Sequence, residues 1–427
     1  MHQIKQHILI WLFALPTFAA SVVAISDNQI DINHIDLKDH LFSNRQEIEN
    51  GKDSDANGKI DDLNGWNYIQ NSGKVFDDGL IGTFDPRVFE YYEIRKKKTL
   101  KTATESELKW YTEIRKDDEF MESRDEFSSY THGSHVACLA MNTKTLPYEL
   151  KSGDLQYLPI RYLGDDPKGL FAKKEFIPSK YSKSYLKIRN IERYLMYYEN
   201  WMISKMRETV KYSSKFSNIY HASWGQSWEP AYDMINGLFQ DEFNLKEKEV
   251  NDKYEKLITQ MRDSYMKGLM DKGLEVVKAY PKMLFVFSAG NKKDDTDSLL
   301  HYPSSIIAEN VISVAAIDEH NKDKAYFSNF GKKTVTIFAP GVAINSCSPG
   351  DNYVPINGTS QAAPQVTNTA AMIYAMADFY NKDINGSFVK DILEDSAKKL
   401  STLSNLCTSG GLLDQQSALS LARYYLK

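Results

Sequence analysis

Val22-Val23-Ala24-Ile25-Ser26 is apolar or small at every position, with none of the alternation that marks a strand with one wet face. Such a strand is buried on both sides and belongs in a parallel sheet. Asp27 follows at its carboxyl end, the edge where open α/β sheets place their chemistry. Further along, Ala370-Ala371-Met372-Ile373-Tyr374-Ala375-Met376 reads as a buried helix. A length of 427 residues allows a large core and permits two or three domains. A net charge of −5 leaves no basic excess to neutralise phosphates, which argues against a nucleic-acid binder.

Just before that helix stands Asn357-Gly358-Thr359-Ser360-Gln361-Ala362-Ala363-Pro364. Small neighbours leave a serine open to a bulky substrate on one side and a base on the other. If Ser360 starts the helix, its N–H is an unpaired first-turn donor that can face a developing oxyanion. Taken alone, the tripeptide is equally a helix N-cap. Two other stretches add chemistry: His132-Gly133-Ser134-His135 and Ser288-Ala289-Gly290-Asn291.

With Asp27, these stretches resemble the subtilisin-like serine peptidases, the subtilases. The matching pieces are VVAISDNQIDINHIDL, HGSHVACLA, SNIYHASWG, FVFSAGN, NVISVAAID, FSNFG, FAPGVAI and NGTSQAAPQVT. They follow the family's order of Asp, His and Ser. The resemblance implies a three-layer α/β fold, with a mostly parallel central sheet, helices on both faces and helical insertions. It implies endopeptidase cleavage of protein or peptide substrates through an acyl-enzyme, with no cofactor needed for the chemistry. Ser360 is then the nucleophile, His132 the general base and acid, and Asp27 the carboxylate that orients His132. Asn291 donates to the oxyanion beside the Ser360 N–H. Ser223-Trp224-Gly225 and Ser288-Ala289-Gly290 match the two segments between which a peptide adds as a strand. Trp224 is large enough to narrow a subsite there. His301 matches the base of the primary specificity pocket and would favour acidic or polar side chains. The register of His34-Ile35-Asp36-Leu37 selects Asp27 over Asp31, where the chain is expected to have turned outward. The sequence departs from the family at Asn28-Gln29, Cys138, Gln361 and Gln365, none of which is a reacting group.

Met1–Ala20 has a cationic start, an apolar run and small residues, and reads as a secretory signal peptide cleaved near Ala20. The rest, 21–427, is then one peptidase domain working outside the cytoplasm, secreted or periplasmic, with no stable membrane span once the signal is removed. Subtilases usually carry a prosegment between signal and enzyme, and the sequence leaves no room for one before Val22. Asp53, Asp55, Asn57 and Asp61 are spaced like the start of an EF-hand-type loop, though Asn64 replaces the closing Glu. They read either as a structural calcium site or as a polar turn. Charged, tyrosine-rich 77–127 and the helical stretches 165–217 and 229–282 read as insertions. Thr104 and Glu107 form a capping-box signal. His132 is expected to open a helix. Of three cysteines, Cys138 reads as a small buried hydrophobe, while Cys347 and Cys407 are the candidate pair for a disulfide in an exported protein.

Two other functions compete. A non-catalytic peptide-binding or scaffolding protein would not need Asp27, His132, Asn291 and Ser360 together. An esterase of the α/β-hydrolase type would carry G-x-S-x-G and a different order of the three residues.

Overall fold

A computed structural model describes residues 21–427; the signal-peptide expectation falls on 1–20, outside them. The strands are β1 (Ser21–Asp27), β2 (Trp66–Asn67), β3 (Leu155–Arg161), β4 (Ile219–Ala222), β5 (Leu284–Ser288), β6 (Val311–Ile317), β7 (Ile337–Pro340), β8 (Ile344–Ser348), β9 (Asn352–Ile356), β10 (Lys398–Lys399) and β11 (Gly411–Leu412). The helices are α1 (Arg87–Thr99), α2 (Glu105–Ile114), α3 (Asp118–Ala140), α4 (Ser184–Ser213), α5 (Trp228–Phe243), α6 (Glu247–Lys278), α7 (Thr359–Phe379), α8 (Gly386–Asp395) and α9 (Gln415–Leu426).

Nine strands form one sheet in the order β10-β11-β7-β6-β5-β4-β1-β3-β2. All pairings are parallel except β10 with β11. The chain winds from β1 to β2 and β3 on one side, then returns to place β4 on the other. That reversal opens a crevice at the carboxyl ends of β1, β4 and β5, which is why Asp27, Ser223 and Asn291 meet there.

β1 explains the layers. Its residues alternate between two cores, Val23 and Ile25 in one, Val22 and Ala24 in the other. The first core is closed by α3, α7, α8 and α9, the second by α4 and α6. Both faces of the strand are therefore dry, so its sequence does not alternate.

Added helices extend this frame. Residues of α1, α2 and the front of α3 make a small core of their own with Val354 of β9. α2 is capped as its sequence indicates, by reciprocal bonds between Thr104 and Glu107. The outer half of α4 packs with α5 and the start of α6 around Ile191, Leu195, Phe239 and Ile258. One expectation changes: His132 does not open a helix. It lies deep in α3, which Asp117 caps by accepting from the Phe120 N–H, so the charged stretch and the histidine share one rigid element.

The cysteine pairing also differs from expectation. Cys138 bonds to Cys347, with Cα atoms 6.0 Å apart, and Cys407 is the buried free thiol. The reason is tertiary. The β8–β9 hairpin lies across α3, where Ser346 donates to the His135 carbonyl. Cys407 sits in a separate apolar cluster with Leu403 and Phe338.

Candidate active site

Asp27 is fully buried at the end of β1, and its Oδ1 accepts from His132 Nδ1 at 2.6 Å and from the Asn28 N–H at 2.7 Å. α3 can come this close because Gly133 has no side chain. A Cβ there would lie 2.5 Å from the Gln29 carbonyl oxygen. Burial opposes a charge on His132, but the Asp27 carboxylate outweighs it, and the imidazole pKa is raised above its ordinary value. The ring keeps 23 % of its side-chain exposure, so its loss of hydration is partial. His135 points elsewhere, with Nε2 bonded to the Val354 carbonyl, and burial lowers its pKa to about 3. Asp31 is not turned outward as expected. It is buried, and its carboxylate accepts from the N–H groups of Asn33 and Gly350.

Ser360 is the second residue of α7, so its N–H is one of the helix's free first-turn donors. Asn291 Oδ1 accepts from the Thr359 N–H and hydroxyl, which leaves its Nδ2 donors free. A Cβ built on Gly358 would lie 2.7 Å from Gln361 Oε1 and 3.6 Å from both Asn291 Nδ2 and Ser360 N. Two donors therefore lie near one another beside Gly358, with the Gln361 side-chain oxygen next to them. In this resting geometry Ser360 Oγ donates to the Ser223 carbonyl at 3.1 Å rather than to His132. Catalytic hydrogen bonds commonly tighten only when substrate is bound.

Pro364 has a local consequence. Lacking an N–H, it leaves the Ser360 carbonyl without its helical partner. Ser223 Oγ takes that place at 3.2 Å. Ser223 Oγ in turn accepts from His221 Nε2, and His221 Nδ1 accepts from Thr367 Oγ1, both at 2.8 Å. Burial lowers the His221 pKa to about 4, so the ring is neutral in this relay. Sequence reasoning passed over His221, although it stands two residues before Ser223 in the SNIYHASWG piece.

The expected substrate walls lie on either side of Ser360. Gly225 is exposed, whereas Ser288, Ala289 and Gly290 are buried. Trp224 does not face the cleft. Its indole stacks on Tyr162 at 4.2 Å and donates to the Ser26 carbonyl, so it supports the wall from behind. His301 sits between the walls: a Cβ on Gly225 would lie 2.3 Å from its ring, and one on Gly290 3.0 Å. Its Nδ1 is bonded to Ser304 Oγ, and burial lowers its pKa to about 4. A neutral ring offers hydrogen bonding but no charge to a side chain that reaches it.

In the acidic loop, Asp53 and Asp55 meet Glu47, with ligand atoms within 4.8 Å of one another. Glu47 is 5 % exposed, and its Oε2 is buried with no hydrogen-bond partner. Asn57 Nδ2 bridges Asp55 and Asp62, while Asp61 is turned away to accept from Asn50 and Gly51. Glu47 escaped the sequence reading because it lies before the loop and reaches it only through folding. Departures Gln361 and Gln365 are accommodated differently. Gln365 bonds the Pro340 carbonyl, but Gln361 Nε2 is buried without a partner.

Three comparisons bear on this arrangement. The subtilase family model matches residues 19–410. Subtilisin-like protease 1 of Plasmodium falciparum is 24 % identical over 419 residues, covering 94 % of this chain and 43 % of that protein. Subtilisin DY of Bacillus licheniformis is 38 % identical over 100 residues, 23 % of this chain and 35 % of the relative. The matches thus span less than half the length of each of these curated relatives. Among solved structures, a lanthipeptide protease aligns with a TM-score of 0.50 at 16 % identity, covering 95 % of this chain and 89 % of that one. The PatG macrocyclase in complex with peptide aligns with a TM-score of 0.51 at 12 % identity, covering 95 % and 91 %. At such identities these structures speak for the fold alone. With the family model spanning nearly the whole chain, this protein belongs to the subtilase family of serine peptidases.

Proposed function

We propose that the protein is a serine endopeptidase that hydrolyses peptide bonds through an acyl-enzyme on Ser360. The observation that carries this reading is that Asn291 Nδ2 and Ser360 N lie together beside Gly358, in a chain that also pairs His132 with Asp27 at 2.6 Å. Donors fixed before reaction stabilise a tetrahedral oxyanion without reorganisation. His132 takes the serine proton and returns it to the leaving amine, while Asp27 holds the Nδ1–H tautomer and stabilises the imidazolium. An extended peptide lies between the Gly225 and Ala289–Gly290 segments. His301 fills the floor between them, so a small side chain fits best at the cleaved residue. The test is covalent labelling by a fluorophosphonate. A folded wild-type protein that takes no label would instead favour the non-catalytic scaffold.

The Glu47, Asp53 and Asp55 carboxylates fit a structural calcium ion, with no role in the reaction steps. A buried carboxylate oxygen with no partner is costly unless a cation meets it. Chelation is expected to lower the melting temperature, because a ligand that favours the folded state stabilises it by mass action. Glu47→Gln with Asp53→Ala should lose that sensitivity. An unchanged melting temperature with chelator would leave the loop a polar turn.

Export is the remaining part of the reading, supported by the Cys138–Cys347 disulfide, a bond that persists in oxidising compartments. Among the described residues no helix is long and apolar enough to cross a membrane. N-terminal sequencing of the extracytoplasmic protein should begin near Ser21; a membrane-bound product that keeps Met1 would show an uncleaved anchor.

A further inference from the structure

β1 and β3 are paired in register, with Asp27 opposite Arg161. In a parallel pair, residues in register project to the same face, so the Arg161 side chain runs on the Asp27 side of the sheet. It ends at a cavity of about 510 Å³ whose lining includes Asn28, Arg161, Leu163, Gly164, Glu126 and Ser129. Asn28 adjoins Asp27, and Ser129 lies one turn before His132 on α3. The cavity therefore borders the two segments that carry Asp27 and His132.

Among the described residues the guanidinium has no side-chain partner. Arg161 Nε is buried without a hydrogen bond, and the side chain enters no ion pair among the described residues. Burial lowers its pKa, and the charges that act on it, Asp77 and Asp165, do so from a distance. Asp77 is already matched by Lys74 at 3.4 Å. On the cavity rim Asp125 is paired with Arg124 at 3.0 Å, while Glu126 and Asp165 are exposed to water. Water and salt screen those rim acids strongly, whereas the half-buried cation is screened less. Gly164, at φ +152°, lies beside the guanidinium: a Cβ there would stand 3.6 Å from Arg161 Nη2, at ordinary contact distance, and 3.2 Å from Ile69. A half-buried arginine with unused donors lowers stability unless something completes it.

We propose that Arg161 is a specificity-determining residue, which receives the carboxylate of an Asp or Glu side chain near the scissile bond and makes acidic peptides the preferred substrate class. The pairing suits the geometry, because a guanidinium offers two parallel donors to one carboxylate. This inference rests on the peptidase reading of the same cleft.

The test is a peptide series with Glu, Gln or Lys placed in turn at each position around the cleaved bond. At one position the wild-type protein is expected to favour Glu over Gln by about tenfold in kcat/KM, the scale of one charged hydrogen-bonded contact. Arg161→Met should bring that ratio close to one, Arg161→Lys should weaken it with the sign kept, and Arg161→Glu should turn the preference to Lys. Ratios within one variant cancel any general loss of activity. If Arg161→Met does not fold by circular dichroism, Arg161→Lys and Arg161→Glu carry the comparison. Fluorescence anisotropy of the same peptides on Ser360→Ala protein reads the preference without turnover. A Glu preference there, in a protein whose wild type takes no fluorophosphonate, would sink the peptidase reading and keep the acidic site. Equal Glu and Gln at every position, in turnover and in binding, would overturn the proposal, as would an unchanged ratio in Arg161→Met.

Discussion

Ser360→Ala is expected to lower kcat by about six orders of magnitude, the scale at which a serine–histidine unit fails once its nucleophile is gone. In the proposed mechanism the loss is this large because the serine, the imidazole and the aspartate act as one device. Without Oγ there is no acyl-enzyme, and His132 has no proton to take. What survives comes from the oxyanion donors and from binding, since Asn291 Nδ2 and Ser360 N do not depend on the hydroxyl. The substitution should leave the fold intact. Ser360 Oγ makes a single hydrogen bond, to the Ser223 carbonyl, and one such bond contributes about 1 kcal/mol. The relay from Ser223 through His221 to Thr367 engages the Ser360 carbonyl, which alanine retains. Circular dichroism, fluorophosphonate labelling and single-turnover kinetics check the three statements together. Turnover by Ser360→Ala within tenfold of wild type would remove the serine from the chemistry.

Asp27→Asn is expected to lower kcat by about 10⁴, because an amide in place of the carboxylate holds the wrong imidazole tautomer. Asp27 Oδ1 is the acceptor for His132 Nδ1 at 2.6 Å, so the change falls on the bond that orients the base. The pH profile gives a second readout. His132 must be neutral to accept the serine proton, and Asp27 raises its pKa. In wild type, kcat/KM should therefore fall as pH drops through a value above that of an ordinary histidine. In Asp27→Asn only burial acts on the ring, so the acid limb should move to lower pH. Asp31→Asn is the control. Its carboxylate holds the Asn33 and Gly350 N–H groups and makes no bond to the imidazole. Its kcat should stay within about tenfold of wild type, or ~1.4 kcal/mol of barrier. The cost should appear in stability instead, at about 1–3 kcal/mol for disturbing a buried acceptor. A crippled Asp31→Asn beside an active Asp27→Asn would reverse the assignment of the two aspartates.

The sheet and the chemical groups were legible because their causes are local. Val22–Ser26 lacks alternation because both faces of β1 are dry. Gly133 and Gly358 stand where a Cβ would collide with a carbonyl or intrude on the donors. Thr104 and Glu107 cap α2 through groups three residues apart. In the acidic loop the pattern placed Asp53 and Asp55 together, but it could not supply Glu47 or remove Asp61.

What the sequence by itself determined is which residues carry reactive groups, in which order, and on which kind of element each one stands. What only the tertiary structure decided is which side chains face the cleft and which groups become partners. Trp224 could be placed in the wall by its neighbours, yet its direction depended on Tyr162, which arrives from the end of β3. Cys138 met Cys347 because a hairpin crosses α3, with 209 residues between them in sequence. Burial by distant elements lowers the pKa of His301 and leaves Arg161 Nε without a partner among the described residues. The physical reason is the same in each case: backbone preference and periodicity act over a few residues, whereas desolvation and side-chain pairing depend on everything that packs within a few ångströms, whatever its place in the chain.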